Sequence, residues 1–433
     1  MIHNQNNKLV LPESCDNYDE IIINIVGNVD SGKSSLCGIL SHNLIRNDIN
    51  NLDKVLDDGD GLSRSRVLSF KHEHDTGRTS SITYNYMVFD NIKPKPRIVS
   101  LVDLAGHEGF LKTTVTGIMS SYPSYGFVLI SKNITHMTRE HYAILASMGI
   151  PIVFLLTKSD IVPKNNIKDN IKKISILSKV YGKTIMEINS IDTVNECLNN
   201  PKTFGYIKIS NKTGFGIPIL IDFISKIKKN QKKILINGFA IDSVYKNITG
   251  FGLVVSGITG IEIKKGQSMV LGPFNGNVFV SVKIRTIHND YRQFIDVLSP
   301  GMRGCLCICF NRKPMDNEYK KFIRMGMTIC HNKNDVNSVK KFKANIAIFR
   351  GNKSNINVGY TSYINMNLVR GGIKIIRLID PETNTDIKTL NDKNYTTAHI
   401  EFMVNHNTIT INDRFLFRSN RCLGIGKVIG FDL

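Results

Sequence analysis

The segment from Ile21 to Leu44 constrains the fold of this chain more than any other part of the sequence. Residues 21–26 form a short, apolar, β-branched run that predicts a buried strand. The run leads directly into GNVDSGKS, residues 27–34, which matches the pattern G-x-x-x-x-G-K-[ST], and residues 36–44 continue with helical character. A strand, a glycine loop and a helix in this order are the context that a phosphate-binding loop requires. The sequence therefore predicts an α/β domain of the P-loop class.

The residue types in this loop suit the phosphates of a bound nucleotide. Gly27 and Gly32 let backbone N–H groups turn inward, and the start of the following helix adds positive potential. Lys33 can reach the β- and γ-phosphates, and the Ser34 hydroxyl can ligate Mg²⁺. The loop alone leaves ATP and GTP open. The neighbouring residues that we assign to the same nucleotide site are Asn28, Val29, Asp30, Ser31 and Ser35.

A second predicted strand, Pro96–Val102, ends at an aspartate that a glycine follows closely. Asp103 is placed to hold Mg²⁺ through a water molecule, and Gly106 can let its backbone N–H approach the γ-phosphate. The alternative is that Asp103 is an ordinary strand-end cap. The position of both residues downstream of a phosphate loop favours the nucleotide site.

A third predicted strand, Ile150–Leu156, ends in Thr157-Lys158-Ser159-Asp160, which matches the pattern [NT]-K-x-D. The carboxylate of Asp160 can accept both N1–H and N2–H of guanine, which adenine lacks, and the stem of Lys158 would cover one face of the base. A site built on this carboxylate rejects the wrong base because its acceptor would stay unpaired. The pattern therefore favours GTP over ATP.

A last strand, Tyr206–Ser210, leads into a loop that can offer backbone N–H groups to guanine O6. We assign Ser210, Asn211 and Lys212 of this loop to the nucleotide site. Each of these short motifs is weak by itself. All four motifs, in order and each at the end of a predicted strand, together indicate a GTP-binding domain.

Composition limits what the rest of the chain can be. At about 150 residues per domain, 433 residues suggest three domains, and 42% hydrophobic with 21% charged residues excludes a largely disordered protein. The net charge of +20 is uneven, because residues 1–230 hold 27 basic and 22 acidic residues whereas residues 231–433 hold 29 and 14. This surplus favours an anionic partner, either nucleic acid or a membrane surface, with codon bias as the alternative.

Targeting signals and cysteine usage both favour the cytoplasm. Residues 1–20 carry four acidic residues and no apolar core, so they do not predict a secretory signal, and no run reaches the roughly 20 apolar residues of a membrane span. The eight cysteines form no C-x-x-C pair, which favours a reduced compartment. Cys305, Cys307 and Cys309 alternate, so a strand would turn all three to one face, where we expect core packing rather than a metal site.

Two more helices complete the first domain, and strands follow. Residues 165–182 predict an amphipathic helix with a solvated basic face, and residues 217–229 predict the last helix before a lysine-rich linker. The apolar positions of the first of these helices are Ile167, Ile171, Ile174, Leu177 and Val180. From Ile234 onward, short apolar runs with glycine punctuation predict one all-β module and then another.

Several stretches resemble translational GTPases, and most closely the GTP-binding protein 1/2 family of elongation-factor-Tu-like proteins. They are residues 27–36 (GNVDSGKSSL), 71–73 (KHE), 77–81 (GRTSS), 103–108 (DLAGHE), 111–115 (LKTTV) and 157–160 (TKSD). The resemblance implies an α/β P-loop GTPase domain followed by two all-β barrel domains. The boundaries that we predict are 1–20 for a leader, 21–232 for the GTP-binding domain, and 233–315 and 316–433 for the two barrels.

The resemblance also implies roles for single residues. Thr79 corresponds to the switch I threonine whose hydroxyl ligates Mg²⁺, and His107 corresponds to the histidine that positions the attacking water once the ribosome organises the site. Together with Lys33 these two residues make up the expected catalytic set. Two departures from the family pattern stand out. Arg78 occupies the place of an apolar gate residue, and Asn211 occupies a place where a small residue is commoner.

In this family the two barrels cradle the acceptor end and stem of a tRNA, so the resemblance implies the ribosome and tRNA or another RNA as partners. We expect a monomeric elongation- or rescue-type factor that does not bind membranes. The alternatives are a GTP-switched regulatory or RNA-surveillance factor, and a P-loop metabolic enzyme with the same three domains. The basic residues that could contact RNA phosphates as a group are Lys283, Arg285, Arg292, Arg303, Lys343, Arg350, Arg377, Arg414, Arg418 and Arg421.

Overall fold

A computed structural model describes residues 19–42, 56, 67, 82–89, 92, 95–228, 237–289, 293–310, 316–348, 356–390, 395–419 and 422–432. The chain divides into two compact units, Met1–Asn230 and Gln231–Leu433. Arg78 and Thr79 lie outside the described residues, as does almost all of the predicted leader. No helix within the described ranges is long and apolar enough to cross a membrane.

The first unit is built on one mixed sheet flanked by helices. Its described strands are β1 (Asp19–Gly27), β2 (Thr83–Phe89), β3 (Arg97–Asp103), β4 (Tyr125–Ile130), β5 (Ile152–Leu156), β6 (Thr184–Glu187) and β7 (Thr203–Lys208). Its described helices are α1 (Lys33–His42), α2 (Leu111–Ser121), α3 (His136–Ser147), α4 (Lys164–Val180), α5 (Ile191–Asn199) and α6 (Ile217–Lys226). The strand order is β2-β3-β1-β4-β5-β7-β6, and β2 alone runs antiparallel to its neighbour.

Continuous apolar strands form the core of this unit because helices cover both faces of the sheet. In β1 every residue from Ile21 to Gly27 is buried, and β5 is buried along its whole length. Ile23 and Ile25 of β1 belong to the same core cluster as Leu36 of α1. The strands and helices that the sequence predicts in this unit are present, with ends shifted by a few residues.

Strand β1 is the point at which the strand order reverses. It lies between β3 and β4 and pairs with both in parallel, so the chain builds outward on one side and then crosses to the other. In open α/β sheets, ligands bind beyond the carboxyl ends of the strands at such a point. Gly27, Asp103, Thr157 and Ser210 stand at or just after the carboxyl ends of β1, β3, β5 and β7. They therefore line one edge of the sheet.

The second unit contains two closed barrels. The described strands of the first barrel are β8 (Phe239–Ile248), β9 (Gly252–Thr259), β10 (Ile263–Lys264), β11 (Ser268–Phe274), β12 (Val278–Asn289), β13 (Phe294–Ile295), β14 (Val297–Leu298), β15 (Arg303–Phe310) and β16 (Thr328–Cys330). Six strands follow the order β11-β16-β8-β9-β15-β12, and the pairing of β11 with β12 closes them. Strand β13 extends the barrel wall as a hairpin with β12.

The first barrel extends beyond the boundary that the sequence predicted at residue 315. Helix α7 (Asp316–Phe322) and β16 follow that point, and β16 pairs with both β8 and β11. Ile329 of β16 is buried in the core of this barrel. Because β16 fills the position between β11 and β8, the first barrel continues at least to Cys330. A three-residue strand is too short to show a periodicity, so the pattern could not reveal it.

The second barrel repeats this closed arrangement. Its described strands are β17 (Ser338–Val339), β18 (Lys341–Ile348), β19 (Ile356–Asn357), β20 (Thr361–Met366), β21 (Val369–Ile379), β22 (Asp386–Ile387), β23 (Thr389–Leu390), β24 (Thr396–Phe402), β25 (Asn407–Thr408), β26 (Arg414–Ser419) and β27 (Cys422–Phe431). Six strands follow the order β20-β26-β27-β18-β24-β21, and β20 pairs with β21 to close them. Phe342 packs against both Phe402 and Phe415 in the core.

The alternating cysteines of β15 do share one face, but that face is the outside of the barrel. Leu306, Ile308 and Phe310 occupy the core face of the same strand. Cys305 and Cys307 lie opposite His288 and Thr286 on the outer surface of β12. The expectation of core packing is wrong for Cys305 and Cys309, which are half-buried, because the intervening aliphatic and aromatic side chains occupy the core. Cys307 is buried, but it lies outside the core cluster of the barrel. Among the described residues, no group of three metal-binding side chains comes together.

Candidate functional site

The phosphate loop leaves β1 at Gly27 and enters α1 at Lys33. Its backbone has a positive φ at Asp30 (59°) and at Gly32 (86°), which supports a concave turn of backbone N–H groups. The Lys33 ammonium donates to the carbonyls of Gly27 at 3.2 Å and Asn28 at 2.8 Å. Burial lowers the pKa of Lys33, and the nearby carboxylate of Asp103 acts against that shift. The loop is thus closed around a buried amine that faces a buried acid.

A hydroxyl and a carboxylate meet beside this amine. Ser34 Oγ donates to Asp103 Oδ2 at 2.6 Å, and both side chains are buried. The two residues come from α1 and from the end of β3, so the sheet order itself brings them together. Hydroxyl and carboxylate oxygens are ligands that Mg²⁺ prefers. The residues at this point of the site therefore fit a magnesium ion.

The segment after β3 lies against the phosphate loop. A Cβ on Gly106 would lie 2.6 Å from the carbonyl oxygen of Gly27 and 2.6 Å from Lys33 Nζ, so only glycine allows this approach. The buried hydroxyl of Thr114 in α2 holds the segment by donating to the carbonyl of Ala105 at 2.7 Å. Sequence reasoning gave Thr114 no role, because its partner lies nine residues away and no local motif joins the two.

His107 is exposed at the start of a short 3-10 helix, residues 108–110. Its Nδ1 accepts a hydrogen bond from the backbone N–H of Gly109 at 3.1 Å, and its ring meets Phe110 edge-on. Because Nδ1 accepts, a neutral His107 carries its proton on Nε2. In this form the exposed side chain has one N–H donor, at Nε2.

The residues that the sequence assigned to the base follow β5. Thr157 is buried, and its hydroxyl donates to the carbonyl of Ser31 in the phosphate loop at 2.9 Å. Lys158 has a positive φ of 56°, and Lys158 and Asp160 are both exposed. The turn therefore anchors its first residue on the phosphate loop and presents the side chains of Lys158 and Asp160 to solvent.

The loop after β7 joins the same assembly. The N–H of Ser159 donates to the carbonyl of Ile209 at 3.1 Å, which links the two loops. The Ser210 hydroxyl accepts from the N–H of Thr213 at 3.1 Å and shapes the turn. The side-chain amide of Asn211 donates to the carbonyl of Gly32 at 3.1 Å. Three loops that are far apart in sequence are therefore connected by hydrogen bonds.

These contacts unite the phosphate-loop residues with Asp103, Gly106, Thr157 and Asn211. Within the described ranges, no side-chain hydrogen bond joins Lys212 to the phosphate loop, and Lys212 is exposed. The predicted roles of Thr79 and Arg78 lie outside the described residues.

Comparison with known proteins shows which proteins this chain is similar to. Residues 19–230 match the Elongation factor Tu GTP binding domain, and this range lies within the first unit. The first unit is therefore similar to the GTP-binding domain of elongation factor Tu. The chain is 27% identical over 444 residues to GTP-binding protein 1 of Xenopus laevis, in an alignment that covers 95% of this chain and 64% of that protein. The resemblance seen in the sequence is thereby confirmed, although the chain spans less than two thirds of that relative.

Solved structures share the fold of both units. The chain superposes on translation elongation factor SelB from Methanococcus maripaludis in complex with the GTP analogue GppNHp, with a TM-score of 0.64 and 19% identity over 96% of this chain and 80% of that one. It also superposes on the S. cerevisiae Ski7 GTPase-like domain bound to GTP, with a TM-score of 0.70 and 16% identity over 94% and 97%. The predicted fold, an α/β GTPase domain followed by two β-barrels, is confirmed.

Outside the GTP-binding domain, the first barrel carries an aromatic cluster on its outer face. Phe294 of β13 is 66% exposed, and its ring centroid lies 4.0 Å from that of His288 and 6.3 Å from that of Phe251. Burial lowers the pKa of His288, which favours the neutral form of this imidazole. Lys283 and Arg285 are exposed on the same strand as His288. Sequence reasoning singled out the two cations but missed the aromatic rings.

The structure divides the ten basic residues proposed as phosphate contacts. Arg303 forms an ion pair with Asp242, in which the two side chains are 10% and 9% exposed, so this arginine is not available to RNA. Arg377 pairs with Asp386, and Lys343 pairs with Asp432. Among the described residues, the members of the set that make no ion pair include Lys283, Arg285 and Arg418. Arg292, Arg350 and Arg421 lie outside the described residues.

Proposed function

We propose that this chain is a translational GTPase that binds GTP with Mg²⁺, hydrolyses it to GDP and phosphate on the ribosome, and engages a tRNA or tRNA-like RNA. The hydrogen bond between Ser34 and Asp103, beside the buried Lys33 ammonium, is the observation that carries the nucleotide half. It supports a site for the charged end of a nucleotide. The turn at residues 157–160, which Thr157 fastens to this site and which carries Asp160, supports the choice of GTP.

The chain's own groups suit this chemistry. A lysine ammonium has three N–H donors, and the carbonyls of Gly27 and Asn28 use two of them, so one remains for a phosphate oxygen. The hydroxyls of Ser34 and Thr79 would hold Mg²⁺, with Asp103 acting through water. When bound, the ion neutralises charge that develops between the β- and γ-phosphates.

His107 fits a water-positioning role better than a base role. Its Nδ1 is occupied by the N–H of Gly109, so the group it can present is the Nε2–H donor. Phosphoryl transfer depends mainly on positioning and electrostatics, and an oriented water meets that need without a strong base.

The outer face of the first barrel supports the RNA half of the proposal. Single-stranded ends of RNA are bound by stacking on aromatic side chains while cations neutralise the phosphates. The exposed Phe294 lies next to His288, and the strand that carries His288 also carries the exposed Arg285 and Lys283, so this face offers both kinds of group. The net charge of +15 in residues 231–433 adds long-range attraction for RNA.

Turnover assays with and without ribosomes test this proposal. We expect ribosomes to stimulate hydrolysis, and we expect His107→Ala to keep its affinity for GTP while losing about 10²-fold or more of the stimulated rate. His136→Ala, an exposed histidine at the start of α3, is the matched control and should retain the full rate. Equal loss of binding and turnover in His107→Ala would contradict water positioning. Stimulation by RNA but not by ribosomes would favour a GTP-switched surveillance factor instead.

A further inference from the structure

Two consecutive carbonyls of the phosphate loop accept hydrogen bonds from side chains of the loops that follow β5 and β7. The carbonyl of Ser31 accepts from the Thr157 hydroxyl at 2.9 Å. The next carbonyl, that of Gly32, accepts from the side-chain amide of Asn211 at 3.1 Å. Gly32 also accepts the first helical N–H bond of α1, from Leu36 at 2.9 Å. The turn between loop and helix is therefore fixed by three donors.

These bonds determine where the neighbouring N–H groups point. In a planar trans peptide the C=O of one residue and the N–H of the next point in opposite directions. Holding the carbonyls of Ser31 and Gly32 outward therefore aims the N–H groups of Gly32 and Lys33 to the opposite side, into the concave face of the loop. Backbone N–H groups on that face are the donors of a phosphate cradle.

The Asn211 side chain makes its hydrogen bond to the phosphate loop with its amide nitrogen. Nδ2 donates to the carbonyl of Gly32. Within the described residues, the buried Oδ1 has no hydrogen-bond partner. Burying an amide oxygen without a hydrogen-bond partner costs free energy. The hydrogen bond from Nδ2 to Gly32 is therefore what favours this position of the side chain. A Cβ on Gly32 would meet Nδ2 at 3.0 Å, so the amide packs directly on the loop.

We propose that Asn211 is a positioning residue that couples the base-binding loop after β7 to the phosphate loop, so that a bound guanine base helps to keep the Gly32 and Lys33 N–H groups aimed at the phosphates. The inference rests on the proposed function, since it requires a guanine nucleotide in this site. Asn211 acts here through the backbone of Gly32 rather than by contact with the base. Losing the amide should loosen the grip on the phosphates without changing which base is preferred.

The dissociation rate of a fluorescent GDP analogue from the full chain tests this coupling. Asn211→Ala removes one neutral hydrogen bond, and we expect GDP to leave about three- to tenfold faster. Asn211→Asp keeps the size of the side chain but turns an acceptor toward the Gly32 carbonyl, so we expect still faster release. The ratio of GDP to xanthosine diphosphate affinities should stay at the wild-type value in both variants. Asn199→Ala, an exposed amide at the end of α5, is the matched control and should release GDP at the wild-type rate.

Several outcomes would overturn the coupling. Wild-type release from Asn211→Ala would show that the hydrogen bond has no role in nucleotide retention. A changed preference between the two bases would show that Asn211 contacts the base directly. Wild-type release from Asn211→Asp together with faster release from Asn211→Ala would show that side-chain volume matters rather than the donor. Absence of guanine nucleotide binding by the wild-type chain would instead contradict the proposed function itself, so the two failures are distinguishable.

Discussion

Asp160 is the residue on which the choice of base depends. It stands exposed in the turn after β5, and Thr157 three residues earlier anchors that turn on the phosphate loop. A carboxylate here complements the two N–H donors of guanine, whereas an amide would present a donor that suits the C2 carbonyl of xanthine. The side chain can thus be changed without disturbing the anchor.

We predict that Asp160→Asn moves the preference of the site from GTP to xanthosine triphosphate. Affinity for GTP should fall by about 10²-fold or more, because a polar site loses its matched partner. Competitive binding titrations with both nucleotides measure the change. Asp169→Asn, an exposed aspartate in α4, should leave both affinities unchanged. Unaltered GTP affinity in Asp160→Asn would remove Asp160 from the guanine site.

How far the site could be predicted at this scale depends on the distance in sequence between partners. The roles of Lys33, Ser34 and Asp103 can be predicted from short motifs, because each motif directly follows a single strand. The role of Thr114 does not follow from them, and neither does the contact of Asn211 with the phosphate loop, because the partners of these side chains lie in other segments of the chain. Arg303 could not be recognised as unavailable to RNA, since its partner Asp242 lies on another strand of the barrel. Local sequence patterns therefore predict the chemical groups of the site, whereas contacts in the folded chain determine which side chains remain available to a ligand.

At the scale of elements, α4 shows how a correct helix can have one face misassigned. The predicted apolar positions include Ile174 and Val180, yet Ile174 is fully buried and Val180 is 62% exposed. Two steps of three residues separate them, and each step falls about 60° short of a full turn of the helix. Around the helix axis, Val180 therefore lies on the side of Ile176, which is 66% exposed. Ser178 lies on the buried side instead. Summing the rotation along the sequence, rather than matching single spacings, would have found this.

The two isoleucines of α4 give a matched test of that geometry. Ile174→Ala should lower the free energy of unfolding by about 2–5 kcal/mol, because it leaves a cavity in the core. Ile176→Ala should change it by less than about 0.5 kcal/mol, since the side chain is largely in water. Both changes alter helix propensity equally, so the difference isolates burial. Chemical denaturation monitored on the GTP-binding domain measures it, and equal effects would contradict the placement of α4.

For the whole molecule, the question is which part of the positive charge is free to act. Residues 231–433 hold 29 basic and 14 acidic residues, but part of this charge is used inside the barrels. Arg303 is buried against Asp242, which also accepts from the Ser256 hydroxyl, and this pair spans β8 and β15 of the first barrel. Net charge in the sequence therefore overstates the number of cations that a partner can reach.

We predict that Arg303→Met destabilises the second unit by about 3–5 kcal/mol, because it leaves the Asp242 carboxylate buried without its cation. Adding Asp242→Leu should recover much of the loss, since both charges are then gone. Arg377→Met removes an ion pair that lies in solvent and should have no measurable effect. Denaturant titrations that follow the barrels compare the three variants. A wild-type stability for Arg303→Met would show that the pair contributes nothing.

The cations and rings that remain on the first barrel can be separated by their response to salt. Replacing Lys283 and Arg285 together by alanine should weaken binding of tRNA to the GTP-bound chain and reduce the slope of log affinity against log salt by about 1.4–1.8, one counterion term per lost phosphate contact. Phe294→Ala should weaken binding by about 1–3 kcal/mol at every salt concentration and leave the slope unchanged, because stacking releases no counterions.

Phe322→Ala, an exposed ring on α7 outside the aromatic cluster, is the control for Phe294→Ala and should bind tRNA like the wild type. Filter-binding or fluorescence titrations over a range of KCl concentrations give both slope and intercept. If the charge variant and Phe294→Ala both leave affinity intact, this face is not where RNA binds. If Phe294→Ala changes the slope, its ring acts by arranging the neighbouring cations rather than by stacking on a base, because only the loss of a charge contact alters the number of ions released.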